Sequence, residues 1–180
     1  MADEKQQTSP SVKENSMRDI RVTKITLNIG AGKNDDTLKK GLTLLKKLTP
    51  VVPVKTSTDK RIPGWGLRPG LVIGCKVTVR KDAKELLIRL LKAKDNILKS
   101  RNFDAQGSFS FGIAEYIDIP GLEYDPDLKI MGLEVAVTLE RPGFRIKKRK
   151  ISPQKVGKKH LISKEDAMNF ATTELGVTIE

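Results

Sequence analysis

The chain has 180 residues but a single cysteine, Cys75, and a single histidine, His160. One thiol excludes an internal disulfide and a cysteine-based metal site, and it favours a reducing compartment. His160 stands in a strongly basic stretch, away from any nucleophile that it could activate. No apolar run approaches the roughly 20 residues that a membrane-spanning helix requires. The first residues are polar and mixed in charge, without the apolar centre of a signal peptide. A cytoplasmic protein with no membrane partner is the expectation. Acidic residues are also scarce, 22 against 34 Lys and Arg, leaving a net charge of +12.

A surplus of that size cannot be neutralised within the fold. It points to a polyanionic partner, because Lys and Arg that meet phosphates release condensed counterions. An anionic membrane surface is the rival. It would need a basic amphipathic helix with a broad apolar face, and neither terminus reads as one.

The residue pattern predicts α+β architecture, a mainly antiparallel sheet with helices on one face, a long loop and a basic C-terminal extension. Residues 1–16 read as a flexible tail, and residues 17–180 as one domain that includes the basic C-terminal extension. Val22 to Ile29 alternates as a half-buried strand, with Thr23, Ile25, Leu27 and Ile29 on one face and Val22, Lys24, Thr26 and Asn28 on the other. A helix follows from about Asp36, carrying Leu38, Leu42, Leu45 and Leu48, with Asp35 and Asp36 serving its cap. Val51 to Thr56 reads as a short strand, placed at an edge by Pro53. Leu71 to Arg80 is a second alternating strand, with Cys75, Val77 and Val79 inward. Asp82 is positioned to cap a helix reaching about Ser100. Asn102 to Gly112 reads as irregular and aromatic, and strands are expected over Ala114 to Ile119 and Leu133 to Glu140. Ser163 caps a last helix, with Glu165 and Asp166 in its first turn.

Three stretches carry the chemistry. If the two long strands are neighbours, Lys24, Thr26 and Asn28 join Lys76, Thr78 and Arg80 in a polar, basic platform, in which Lys and Arg meet phosphate while Thr and Asn donate to phosphate or ribose. An ordinary solvated sheet face has the same pattern. The loop STDKRIPGWGLRPG (Ser57–Gly70) surrounds Trp65 with Lys60, Arg61 and Arg68, a composition suited to stacking beside phosphate contacts. Glycines on both sides of Trp65 predict a mobile, exposed tip, although the indole could also fold back on the core. The run RPGFRIKKRKISPQKVGKKH (Arg141–His160) holds nine cations and no acid. It is bounded by a strand and a capped helix and contains Phe144 and Ile146, so it reads as a segment ordered against RNA through Arg145, Lys147, Lys148, Arg149 and Lys150, and not only as a solvated tail.

Enzyme signals fail on inspection. Gly30-Ala31-Gly32-Lys33 lies between a strand and a helix, but a phosphate-binding loop needs glycine where Leu27 stands and Ser or Thr where Asn34 stands. Cys75 alternates inward and reads as a small core residue. No cofactor, metal or catalytic set is expected.

The motifs KITLNIGAGK (Lys24–Lys33), RIPGWGLRPGLVIGCKVTVR (Arg61–Arg80), NFDAQGSFSFGIAEY and RPGFRIKKRK together resemble the large-subunit ribosomal protein family that binds 5S rRNA. KKHLISKEDAMNF near the C-terminus is similar to its archaeal and eukaryotic branch. The likeness runs in order over residues 17 to 175. It implies a structural protein of the cytoplasmic ribosome, in the central protuberance of the large subunit. Its implied partners are 5S rRNA, large-subunit rRNA, neighbouring large-subunit proteins, peptidyl-site tRNA and a small-subunit head protein. The family's rRNA-contacting positions fall here on Lys24, Asn28, Trp65, Thr78 and Arg80. Its tRNA-contacting loop corresponds to Ser57–Arg68, which places Thr58, Lys60, Arg61 and Arg68 towards tRNA. Val51 stands where the bacterial pattern has Gln, so no contact is carried there. Trp65 replaces a bacterial Phe and keeps the capacity to stack. A free-standing RNA-binding or RNA-modifying factor on a similar fold is the alternative.

Overall fold

A computed structural model describes residues 15–180. The tail expected over residues 1–16 lies outside the described residues up to residue 14. At its last positions the chain enters a short 3-10 turn at Ser16–Arg18, in which the Asn15 side chain accepts from the Met17 N–H.

Five strands form one antiparallel sheet: β1 (Arg21–Gly30), β2 (Val54–Ser57), β3 (Val72–Val79), β5 (Phe109–Ile113) and β6 (Leu133–Glu140), in the order β2-β3-β1-β6-β5. The β-branched alternation of β1, β3 and β6 fits central positions. The short β2, just after Pro53, is an edge as expected. A second, two-stranded sheet pairs β4 (Ile97–Leu98) in parallel with β7 (Thr178–Ile179).

The inward residues of every long strand enter one core: Ile25, Leu27 and Ile29, Cys75 and Val77, Phe109, Phe111 and Ile113, and Leu133, Val135, Val137 and Leu139. Two helices cover that face, α1 (Asp35–Leu48) through Leu38, Leu44, Leu45 and Leu48, and α2 (Ala83–Lys92) through Leu87, Leu90 and Leu91. Each fully buried Leu or Ile contributes about 1.5–3 kcal/mol of apolar transfer. In α1, Leu44 is buried while Leu42 is only half-buried, so the stripe is rotated slightly from the expected one. Gly41 is where α1 meets the sheet, since a Cβ there would lie 3.0 Å from the Cys75 Sγ. The remaining helices are α3 (Arg145–Lys148) and α4 (Lys164–Leu175), the latter closed by a reciprocal capping box between Ser163 and Asp166.

Several expectations are corrected. A bulge between Val22 and Lys24 reverses the alternation at the start of β1, so Val22 pairs with Leu139 and packs on the core. One extra residue in a strand changes the face of everything before it. The N-cap of α1 is Asn34, whose side chain accepts from the Asp36 N–H, while Asp35 and Asp36 occupy the first turn. The helix predicted to reach Ser100 stops at Lys92. Asp95 and Asn96 take positive φ, and Ile97 and Leu98 leave the helical pattern to pair with the C-terminal strand. Asp82 also has positive φ and makes no side-chain cap. The aromatic segment thought irregular contains β5. Ala114–Ile119, predicted as a strand, instead holds a 3-10 turn at Tyr116–Asp118 that buries Tyr116.

Candidate nucleic-acid interface

The face of the sheet opposite α1 and α2 is open. Register decides what lies on it. Asn28 stands opposite Lys76, and Thr26 opposite Thr78, across β1 and β3. On the other side of β1, Lys24 faces Thr138, Thr26 faces Ala136 and Asn28 faces Glu134. Ser110 and Gly112 of β5 continue the surface beyond β6. The platform foreseen from the two strands is therefore assembled, and β6 and β5 extend it. Lys76 and Arg80 are exposed; Lys24, Thr26, Asn28 and Thr78 are half-buried. Among the described residues, Lys24, Lys76 and Arg80 make no ion pair with any acid. Cations on an open sheet without internal partners remain free for phosphate.

Two features of this face escaped sequence reasoning. The first is Glu134, whose Oε2 accepts a hydrogen bond from the Asn28 Nδ2 at 3.1 Å. Its outward position was legible from alternation, but its partner depended on β6 pairing with β1. The second is a cleft of about 970 Å³. Thr26, Asn28, Glu134 and Ser110 belong to its floor, and the segment after α2 supplies Lys94, Lys99 and Arg101 to its wall. Ending α2 at Lys92 brings those cations to the sheet.

The Ser57–Gly70 loop carries internal backbone pairing. Its base is closed by Thr58 N–H donating to Leu71 O and by Gly70 N–H donating to Thr58 O. Ile62 and Leu67 form an antiparallel bridge around a 3-10 turn at Pro63–Trp65, and Leu67 is buried. This pairing gives the loop a defined backbone path up to its tip. Gly66 ends the turn in the left-handed region, φ 59°, a conformation that glycine adopts without cost. Trp65 is 70% exposed and does not fold onto the core. Lys60, Arg61 and Arg68 are exposed around it. The Thr58 hydroxyl is instead occupied within the loop, accepting from the Lys60 N–H and facing the Lys60 carbonyl, both at 3.2 Å. Lys33, considered only in the failed phosphate-loop reading, lies over Gly66 and adds a cation to this end of the molecule.

The basic run divides by role. Arg141 is structural: its nearly buried guanidinium donates to Asp166 Oδ2 at 3.1 Å and to Leu161 O at 3.2 Å, which ties the run to the N-terminus of α4. His160 Nε2 lies 2.8 Å from Pro142 O, and its ring packs against Phe144. Gln154 N–H donates to Ile146 O and Arg149 Nε to Ser152 O, so the segment has an internal scaffold. Arg145, Lys147, Lys148, Arg149 and Lys150 are all exposed on it. Lys148 pairs with Glu140, the last residue of β6 on the open face, which draws α3 to that end of the sheet.

Cys75 is buried, and burial pushes its thiol pKa up, which keeps it protonated and inert. Among the described residues no three His, Cys, Asp or Glu side chains cluster as metal ligands, and no helix is long and apolar enough to cross a membrane.

Comparison with known proteins accounts for this arrangement. Residues 15–68 match the ribosomal protein L5 family, and residues 72–170 match the C-terminal region of the same ribosomal family. A large ribosomal subunit protein uL5 of Nanoarchaeum equitans is 50% identical over 168 residues, covering 92% of this chain and 99% of that protein. The chain belongs to the ribosomal L5 family. The uL5 proteins of Sulfurisphaera tokodaii and Pyrobaculum aerophilum are 45% and 41% identical, covering 92% and 94% of this chain and 94% and 95% of their own lengths. Membership makes the protein a structural, rRNA-binding constituent of the large ribosomal subunit in the cytoplasm, and it sets aside the RNA-modifying alternative. The expected archaeal character agrees with these relatives.

Proposed function

We propose that the open face of the sheet grips 5S rRNA, that the exposed cations of the C-terminal run meet adjoining large-subunit rRNA, and that the Trp65 loop reaches peptidyl-site tRNA. One observation carries the reading. Lys24 and Lys76 stand on one face of paired strands, interleaved with Thr26, Thr78 and Asn28, the exposed Arg80 follows directly on the end of β3, and none of these cations is neutralised by an acid among the described residues. Unpaired cations also occur on a solvated face; what favours RNA here is their grouping with hydroxyls and an amide on a protein whose family binds rRNA. Backbone contact through such groups fixes an RNA in place.

Lys60, Arg61 and Arg68 occupy a separate, internally bonded hairpin, with Lys33 nearby. This supports a division of labour in which the sheet holds 5S rRNA and the loop touches tRNA. Trp65 could stack in either complex. The small-subunit head protein belongs to the same reading, through the family resemblance.

Reconstituted large subunits lacking Lys60 to Gly64 test the division. They should keep their 5S rRNA and release peptidyl-site tRNA faster. Loss of 5S rRNA as complete as that caused by Lys76→Gln with Arg80→Gln would show that loop and sheet act as one site.

A further inference from the structure

Glu134 puts a carboxylate beside the groups of β1 and β3 that face a polyanion, in a cleft that Asp95 and Glu180 also line. Of these acids, Glu134 is the one hydrogen-bonded to a side chain of β1. Glu134 lies on the floor of the cleft directly opposite Asn28, and it accepts the Asn28 Nδ2 hydrogen at 3.1 Å. A carboxylate can only accept, whereas an asparagine amide can present either end. Glu134 therefore sets the direction of the amide. Nitrogen faces the acid, and Asn28 Oδ1 is left without a protein donor among the described residues.

We propose that the Glu134–Asn28 pair is a ribose-recognition device, in which Glu134 is a positioning residue that holds Asn28 Oδ1 as the acceptor for an RNA 2′-hydroxyl. An outward amide oxygen cannot bond a phosphate oxygen, since both accept. It needs an O–H or N–H. The choice of ribose over a base edge follows from the rest of the face. Phe109 and Phe111 point into the core, and the outward positions of β1, β3, β5 and β6 carry Lys, Arg, Thr, Ser, Gly, Ala, Asn and Glu. No aromatic ring is offered there for an unstacked base, so what approaches is sugar and phosphate. The 2′-hydroxyl is the group that separates RNA from DNA at such a site. The cleft's other charged groups are Lys94, Lys99 and Arg101, with Asp95 and Glu180 as acids. With Glu134 included the three acids match the three cations, which suits a polar sugar better than a second phosphate.

This inference rests on the open face being the rRNA-binding surface, and its test separates the two claims. The full chain would be titrated in gel shifts with 5S rRNA and with DNA of the same sequence, as wild type, Glu134→Ala, Asn28→Ala and the double variant. Charge alone predicts that Glu134→Ala binds both nucleic acids more tightly. The positioning role predicts that it binds 5S rRNA about five- to tenfold more weakly, the effect of one lost hydrogen bond, while DNA binding holds or rises. In the Asn28→Ala background, removing Glu134 should no longer weaken RNA binding. Thermal unfolding of each variant confirms that the strand, already carrying Ala136 on this face, is intact. Tighter binding of RNA and DNA alike by Glu134→Ala in both backgrounds would overturn the device. If Lys76→Gln with Arg80→Gln also left RNA affinity unchanged, the rRNA-binding face itself would be the error.

Discussion

The double substitution Lys76→Gln, Arg80→Gln is the most direct quantitative test of the open face. Both side chains are exposed and take no part in an internal hydrogen bond or ion pair among the described residues, so their loss should move folding stability by less than about 0.5 kcal/mol. Hydrogen bonds to charged partners contribute about 1.5–3 kcal/mol net, and exposure argues for the lower end. Two such contacts give about 3 kcal/mol, roughly a hundredfold in Kd for 5S rRNA. The salt dependence is more diagnostic. Each phosphate neutralised adds roughly 0.7–0.9 to the steepness of log affinity against log salt. Between about 50 and 200 mM salt, two lost contacts therefore change the ratio of wild-type to variant affinity by about tenfold, with the larger deficit at low salt. Lys84→Gln is the control, because Lys84 is already paired with Glu174 at 2.7 Å and lies on α2. Filter binding or gel shift over a salt series gives both numbers. A deficit below about threefold, or one that does not shrink with salt, would refute phosphate contact by this pair.

Three further outcomes are expected. Replacing Lys147, Lys148, Arg149 and Lys150 with Gln should lower the salt slope for large-subunit rRNA by about 2–3 and not by four contacts' worth, since Lys148 is held by Glu140; an unchanged slope would mean that the run meets no phosphate. Arg141→Ala should destabilise the fold by about 1–2 kcal/mol in urea unfolding, because it removes a nearly buried donor from Asp166 and Leu161 O, although the Asp166 carboxylate is partly exposed and the Arg141 Nε is buried without a partner; a loss under about 0.5 kcal/mol would make the clamp incidental. The Lys47 ammonium, 2.5 Å from Asp125, holds that carboxyl below its ordinary pKa, and the Asp125 carboxylate in turn raises that of Lys47. A depressed carboxyl contributes stability that is present above its unfolded pKa and is lost as pH falls through the folded one, so Asp125→Asn should flatten the wild-type loss of stability on acidification below about pH 4; parallel curves would show that the pair contributes nothing.

Alternation along β1, β3 and β6 was enough to separate core from surface, because a strand's period of two leaves little choice once one face is apolar. Leu38, Leu45 and Leu48 marked the first helix in the same way, and Ser163 with Asp166 marked the start of the last. Local chemistry also made Trp65 and the basic run candidates before any contact was known. Other features depended on partners distant in sequence. Val22 is inward because of a bulge, an event of pairing that alternation within one strand cannot reveal. Ile97 and Leu98 looked like a continuing helical stripe. They become a strand because Thr178 and Ile179 arrive to satisfy their backbone. The same rearrangement carries Lys94, Lys99 and Arg101 to the open face. Arg141, one cation among nine in sequence, is held by Asp166, 25 residues away. Glu134 acquires its partner from a strand 106 residues earlier. Residue type and spacing determined that this protein would bury one sheet face and leave the other polar and basic. Which offered groups are free to bind, and in which direction an amide points, was decided by register, because hydrogen bonds between strands form only after the chain has folded.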